Sequence, residues 1–274
     1  MFDLKQHIAS LVAVFLSLGI GIFIGMAIAE DGGLARQQAE LVQKLEDDYA
    51  ILRAENKKFA EEALAWQQIA EQYQEFAAEV FPHVIQGKLE GMQLAVFVTG
   101  AFSNYAEVVQ VLEKAGAQIG TIIEISGDWN LKPADWRERL PQIIPLGIDP
   151  LNFLGVKVGA ELAGGRKEIL PSLGAKGFLL FQREGKEKPL AVVILGGSES
   201  KDSLRAKEFD LPLIRTLVSA GVRVVAGEAS MVPFSDEPLY RRLGIQVIKA
   251  ADTIPGQIKL IWALAGNKDV SKVK

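Results

Sequence analysis

The hydrophobic pattern of the chain opens with a long apolar segment. Residues 8–29 form a run of 22 residues without a charged side chain, and a helix of that length crosses a hydrocarbon core about 30 Å thick. A cleaved signal peptide is the alternative, since Ala27-Ile28-Ala29 resembles a peptidase site. The run is longer than the roughly 7–15 residues usual for a signal peptide. The pattern therefore predicts an uncleaved transmembrane anchor over residues 8–29, after a flank of residues 1–7.

Small side chains recur at every fourth position of this segment. They are Ala9, Ala13, Ser17, Gly21, Gly25 and Ala29. In a helix this spacing places them on one ridge, along which two backbones can approach closely in lipid. Membrane helices are in general rich in glycine, which is the simpler explanation. The regular spacing favours self-association through Ala13, Ser17, Gly21 and Gly25.

A seven-residue repeat follows the apolar segment. Its d positions are Leu45, Leu52, Phe59, Trp66, Tyr73 and Val80, and its a positions are Val42, Tyr49, Asn56, Ala63, Ala70 and Ala77. Residues 35–80 contain no proline or glycine that would interrupt a helix. The repeat predicts a coiled-coil stalk over residues 30–81 that pairs two chains in parallel.

The predicted dimer seam consists of Val42, Leu45, Tyr49, Leu52, Asn56, Phe59, Ala63 and Trp66. Asn56 is the polar a residue that would fix the register and favour two parallel strands. The alternative is a long helix folded back on its own domain. The large d residues opposite alanine keep that alternative open for the C-terminal half of the stalk.

Beyond Pro82 the heptads give way to short apolar runs that alternate with amphipathic segments. The predicted strands are residues 94–99, 120–125, 177–182, 190–195, 223–226 and 246–249, and the predicted helices are residues 103–115, 150–163, 211–220, 237–243 and 255–265. Alternating strands and helices are typical of a mostly parallel sheet covered on both faces. We therefore expect a three-layer, doubly wound α/β domain over residues 82–266, followed by a tail of residues 267–274.

Two parts of this domain depart from the regular alternation. Residues 182–189 are polar and include Gly185, which suits a hairpin and predicts one antiparallel strand pair. Residues 126–145, with Trp129 and Trp136, show no clear period and are expected to form an irregular excursion.

Charge and composition exclude several functions. Residues 30–81 carry 12 acidic and five basic side chains, and residues 82–274 carry 21 acidic and 24 basic side chains. Neither region has a dense run of lysine and arginine of the kind that binds nucleic acid. The absence of cysteine excludes disulfides, thiolate metal sites and cysteine nucleophiles.

The charges that flank the apolar segment bear on its orientation in the membrane. Lys5 precedes the apolar segment, whereas Glu30 and Asp31 follow it. This distribution favours a cytoplasmic N-terminus and a globular domain outside the cytoplasm.

Candidate chemistry is sparse. Residues 99–103 and 195–198 follow strands at the edge where such sheets bind ligands, but neither carries a dinucleotide or Walker motif. Two clusters of polar residues also occur after predicted strands. The first consists of Ser198, Glu199, Ser200 and Asp202, and the second consists of Glu228, Ser230 and Asp236. The only histidines are His7 and His83, and the four methionines are scattered, which leaves few ligands for copper(I). We therefore expect no catalytic residues, no metal site, no cofactor and no enzymatic activity.

Several segments resemble the MctB-like family, usually labelled copper transporters. The resemblance lies in residues 3–16 and 19–21, in Pro82-His83-Val84 with residues 87–96, and in Ala251-Asp252-Thr253 with Gly256-Gln257 and residues 263–266. It implies an envelope protein with an anchor, a coil and an α/β domain that is associated with copper homeostasis. A related branch, the SteB-like proteins, implies instead a role in cell separation with a SteA-like partner protein. The residues favour a dimeric, non-enzymatic envelope scaffold or regulator, with copper transport or homeostasis as the alternative and a nucleotide-binding enzyme as a distant third.

Overall fold

A computed structural model describes residues 4–30, 33–100, 102–126, 129, 131–164, 166–185, 187–201 and 204–266. The chain divides into two compact units, Met1–Tyr73 and Gln74–Lys274. The predicted tail, residues 267–274, lies outside the described residues, as do Asp31 and Asp202.

The apolar N-terminal segment forms one helix, α1, from Leu4 to Glu30. Within it, Lys5–Ile28 has a mean hydropathy of 2.6 and is long and apolar enough to cross a membrane. All side chains of residues 5–28 are exposed in the chain. The prediction of a membrane-length apolar helix is therefore confirmed.

The heptad region forms a second helix, α2, of 53 residues from Gly33 to Ile85. The side chains of residues 36–76 are exposed, and burial begins at Ala77. The helix continues through Pro82, although proline lacks the amide hydrogen that an interior helical position uses. Phe81 and Ile85 pack against a core of the second unit, and this tertiary packing stabilises the last turns.

Six strands form the sheet of the second unit: β1 (Gln93–Val98), β2 (Gln118–Ile125), β3 (Leu179–Arg183), β4 (Ala191–Gly196), β5 (Arg223–Glu228) and β6 (Gln246–Ile248). Their order across the sheet is β3-β2-β1-β4-β5-β6. All neighbours run parallel except β2 and β3, which are antiparallel. The mostly parallel α/β architecture predicted from the sequence is confirmed.

Helices cover both faces of the sheet. They are α3 (Tyr105–Lys114), α4 (Pro133–Arg139), α5 (Pro150–Leu162), α6 (Ile169–Ala175), α7 (Leu211–Ser219), α8 (Glu237–Tyr240) and α9 (Ile254–Ala265). Side chains alternate between the faces along each strand. In β1, Ala95 and Phe97 enter the core beneath α5 and α7, whereas Leu94 and Val96 enter the core that contains α3 and α9.

The predicted hairpin between the third and fourth strands is wrong. The single antiparallel pair joins β3 to β2, where Ile125 lies opposite Leu179, and β4 lies between β1 and β5. All six residues of β4 are buried, as a central strand requires, whereas β3 is partly exposed. The partly exposed strand therefore takes the edge, and residues 184–190, between β3 and β4 in the chain, connect two strands that are not neighbours.

Three elements were not predicted from the sequence. The excursion at residues 126–145 contains α4 and buries two tryptophans, Trp129 and Trp136, whose ring centroids lie 5.2 Å apart. The second is α6, between α5 and β3. The third is a π-helical segment, Arg205–Asp210, which leads directly into α7.

Candidate functional sites

The sheet has a topological switch point between β1 and β4. From β1 the sheet continues through β2 on one side, and from β4 it continues through β5 on the other. Parallel α/β sheets bind ligands outside the carboxyl ends of the strands at such a point. The segments that follow β1, β4 and β5 are therefore the first place to look for a binding site.

Protein atoms occupy the space between the ends of β1 and β4. A Cβ built on Gly100 would lie 1.8 Å from the carbonyl oxygen of Gly197, so the two backbones are in direct contact there. Gly197 has a φ of +106°, and a methyl carbon of Val232 would lie 2.3 Å from a Cβ at that position. The backbone can close here only because both positions lack a side chain.

Arg205 lies at the centre of a buried polar network below this contact. Its guanidinium donates to a carboxylate oxygen of Asp210 and to the carbonyl oxygen of Gly197 over 3.1 Å. In an α-helix, residues five apart point about 140° away from each other. The i→i+5 bonding of a π-helix instead brings them one above the other, which explains the close pairing of Arg205 and Asp210.

Asp236 joins the segments that follow β4 and β5. Its carboxylate accepts from the backbone N–H of Gly197 over 3.1 Å, from the Ser198 hydroxyl over 2.9 Å and from Arg205 over 3.2 Å. Glu228, at the end of β5, accepts from the backbone N–H of Asp236 over 2.6 Å. Hydrogen bonds from side-chain and backbone donors to these two buried carboxylates therefore hold four separate segments together.

Tyr240 completes the network. Its hydroxyl donates to Asp210 over 2.5 Å, and both residues are fully buried. Burial raises the pKa of Asp210 to about 6, against the opposing effect of the Arg205 guanidinium. Burial beside the Asp210 carboxylate also raises the pKa of Tyr240 well above its ordinary value.

The network holds one buried arginine and three buried carboxylates, those of Asp210, Glu228 and Asp236. Backbone N–H groups and the Ser235 hydroxyl compensate Glu228, and Asp236 is similarly well supplied with donors. The second oxygen of Asp210 has no hydrogen-bond partner. The geometry suits an internal cross-link between the ends of β4, β5 and the π-helical segment, because, apart from that oxygen, the donors and acceptors named above bond to one another.

The sequence located part of this network. The structure brings Ser198, Glu228 and Asp236 together as above, whereas Ser230 bonds to Asp252 instead. Glu199 and Ser200 are exposed.

Arg205, Asp210 and Tyr240 were not predicted as site residues from the sequence. A spacing of five between Arg205 and Asp210 carries no signal on an α-helix. Only a π-helical register brings the two side chains together, and the sequence pattern does not predict a π-helix here.

The predicted dimer seam forms an exposed apolar stripe on α2. Exposed fractions there include 67% for Leu45, 64% for Phe59 and 70% for Trp66. Large apolar side chains at this exposure and in this register are typical of a surface that a second helix covers. The remaining seam residues Val42, Tyr49, Leu52, Asn56 and Ala63 are also exposed.

The small-residue ridge on α1 is open in the single chain. A Cβ built on Gly21 or Gly25 would meet no atom within 4 Å. The Ser17 hydroxyl donates to the Val14 carbonyl over 2.9 Å, so it is satisfied within its own helix, and Ala13 is exposed.

Metal-ligating residues are separated in the chain. His7 and His83 are exposed on different helices, Met92 is half-buried, and Met231 is 92% exposed in the segment after β5. Across the part of the chain that the structure describes, no three His, Asp or Glu side chains form a group that could hold a metal ion.

Comparison with known proteins shows the family. A family model described as "Copper transport outer membrane protein, MctB" matches residues 1–271. A search of curated proteins found no match. The match covers α1, α2 and the whole α/β domain, and the chain therefore belongs to the MctB family of copper-transport-related envelope proteins.

Proposed function

We propose that this chain is a membrane-anchored, non-enzymatic scaffold or regulator of envelope or cell-separation processes, which acts as a homodimer paired along α2. The anchor is α1, inserted with its N-terminus in the cytoplasm, and the α/β domain stands outside the cytoplasm. In this role α2 joins the membrane to a folded domain that meets a partner protein, such as a SteA-like protein.

One observation carries the proposal, namely the exposed seam of α2. Apolar side chains recur there at heptad spacing over residues 42–73, and all are exposed in the single chain. Each of the large ones stabilises a pair by burial, since about 25 cal/mol is gained per Å² of apolar surface removed from water. Asn56 at an a position favours two parallel strands over other arrangements.

The carboxyl edge of the sheet supports the non-enzymatic role. Gly100 and Gly197 are in backbone contact where a related fold would hold a ligand. The side chain of Arg205 is 8% exposed, and its guanidinium bonds to protein groups at both of its terminal nitrogens. A charge committed in this way is unable to bind an anionic substrate without breaking the internal cross-link.

Copper transport or homeostasis is the second candidate, because the family description names copper transport. Copper(I) selects cysteine and methionine ligands. This chain has no cysteine and only four methionines, of which Met92 and Met231 belong to the α/β unit. The supply of ligands therefore favours the scaffold over direct handling of the metal.

The test is co-purification of two differently tagged copies of the full-length chain from detergent-solubilised membranes, with elemental analysis of the eluate. Lysines at two d positions, Leu52→Lys with Phe59→Lys, place charges in the seam. A matched control, Ala54→Lys with Gln68→Lys, places the same charges at outward f positions.

We expect the second copy to co-purify with the wild type and the control but not with the seam variant, and copper to stay far below one ion per chain. Loss of co-purification in the wild type would overturn the paired scaffold. One copper ion per chain, retained against a chelator and lost in Met92→Ala or Met231→Ala, would establish the copper function instead.

A further inference from the structure

The apolar stripe of α2 changes its surroundings near its C-terminal end. Every side chain of residues 36–76 is exposed, and Tyr73 is still 71% exposed. Ala77, Val80 and Val84 are half-buried, and Ile85 is only 1% exposed. The change falls within one heptad.

The half-buried residues continue the predicted seam. Ala77 is an a position, Val80 is the next d position and Val84 is the next a position of the same repeat. Phe81 and Ile85 lie beside them on the helix and pack against the core formed with α3 and α9. All five belong to the second unit, Gln74–Lys274, and the loss of exposure at the three seam residues coincides with the packing of Phe81 and Ile85 against that core.

We infer that the seam changes partner between Tyr73 and Ala77: a second copy of α2 covers it up to Tyr73, and the chain's own α/β domain covers it from Ala77 onward. This inference rests on the proposed pairing. An a or d side chain of a coiled coil fills a hole formed by four residues of the facing helix. Because Phe81 and Ile85 hold this end of α2 against the core of its own domain, the half-buried a and d residues beside them are not free to fill that hole, so the two helices part at this point.

The consequence concerns how the dimer presents its domains. Pairing is confined to the part of α2 nearer the membrane segment in the sequence. Each α/β domain is held by the last three turns of its own α2, and the coil contributes no contact between the two domains. The heptad pattern alone, which continues to Val80, predicts pairing for one further heptad.

Disulfide trapping tests the inference, since the chain contains no cysteine. Ala63→Cys, Ala70→Cys and Ala77→Cys replace the same residue at three successive a positions. Paired a positions of a parallel coil bring Cα atoms within the range of about 4.4–6.8 Å that a disulfide needs. Ala54→Cys, at an outward f position, is the background control. Each full-length variant is oxidised mildly in membranes, and the cross-linked fraction is read on a non-reducing gel.

We expect Ala63→Cys and Ala70→Cys to cross-link at least tenfold more than Ala77→Cys and Ala54→Cys. Val84→Cys, a substitution of similar volume, must behave like Ala77→Cys, and it replaces that variant if Ala77→Cys does not fold. Cross-linking at residues 77 and 84 as strong as at residue 70 would overturn the change of partner and leave the pairing intact. Failure of residues 63 and 70 to cross-link would overturn the pairing itself, and the inference with it.

Discussion

Tyr240 donates its hydroxyl hydrogen to Asp210 over 2.5 Å, and this bond joins the helix that follows β5 to the π-helical segment that follows β4. Both side chains are fully buried. The other bonds of Asp210 come from Arg205 alone, and one of its oxygens has no partner. Among the described residues, the Tyr240 hydroxyl is therefore one of two side chains, with Arg205, that donate to the buried Asp210 carboxylate.

Tyr240→Phe should destabilise the α/β domain by about 1–3 kcal/mol, because it leaves a buried acceptor short of a donor while it keeps the ring in place. Tyr105→Phe is the matched control, since Tyr105 donates to the Glu124 carboxylate over 3.0 Å and both residues are only half-buried. Urea unfolding followed by the fluorescence of the buried tryptophans measures both. Equal losses in the two variants would contradict the special place of the buried pair.

The stability of the domain should depend on pH through Asp210. Burial raises the pKa of Asp210 to about 6 from its ordinary value of 3.8. The folded state thus holds the proton more tightly than the unfolded chain. The stabilisation is complete below about pH 4 and is lost as the pH rises through about 6. A shift of about two pKa units corresponds to about 3 kcal/mol.

Asp210→Asn isolates this contribution, because the amide does not titrate. The difference in unfolding free energy between wild type and Asp210→Asn should change by about 3 kcal/mol between pH 4 and pH 7, in favour of the wild type at pH 4. Asp252→Asn, which changes a half-buried carboxylate bonded to Ser230 outside the network, serves as the control. A difference that stays constant over this range would show that Asp210 keeps an ordinary pKa.

Gly100→Ala should be strongly destabilising, by about 3 kcal/mol or more, because its Cβ would lie 1.8 Å from the backbone oxygen of Gly197, and the main chain must shift to make room. Gly120→Ala in β2 is the control, since the nearest atom to its Cβ lies 4.0 Å away. Thermal unfolding of the full-length variants compares them. Similar melting temperatures would mean that the ends of β1 and β4 are not in contact.

The class of fold was predictable because its signals are local and periodic. A long apolar run without charged residues predicts α1, the heptad repeat predicts the helix α2, and short apolar runs that alternate with helical segments predict a mostly parallel sheet. The position of β3 was not predictable in this way, because its polar connection to β4 resembles a hairpin. The order of the strands is decided by burial: the fully apolar β4 occupies the centre of the sheet, and the partly exposed β3 lies at its edge.

The buried network shows a different limit. Ser198, Glu228 and Asp236 follow strands and could be recognised as polar residues at one edge of the sheet. Arg205 and Asp210 meet only because the helix between them is a π-helix, and Tyr240 reaches them from 30 residues further along the chain. Such contacts depend on tertiary structure rather than on any local period.

Asn56→Leu should raise the thermal stability of the pair and loosen its choice of oligomeric state, because a buried amide stabilises less than leucine but penalises other registers. Gln68→Leu, at an outward position, should do neither. Melting curves and sedimentation of the detergent-solubilised full-length chain provide both measurements. Unchanged stability and an unchanged oligomeric state in Asn56→Leu would place Asn56 outside a paired seam.

Pairing along α2 is the central claim, and the mass of the full-length chain in detergent, measured by light scattering with the detergent subtracted, tests it most directly. We predict two chains per particle for the wild type and for Ala54→Lys with Gln68→Lys, and one chain for Leu52→Lys with Phe59→Lys. A wild-type particle that contains a single chain at every concentration measured would contradict the claim.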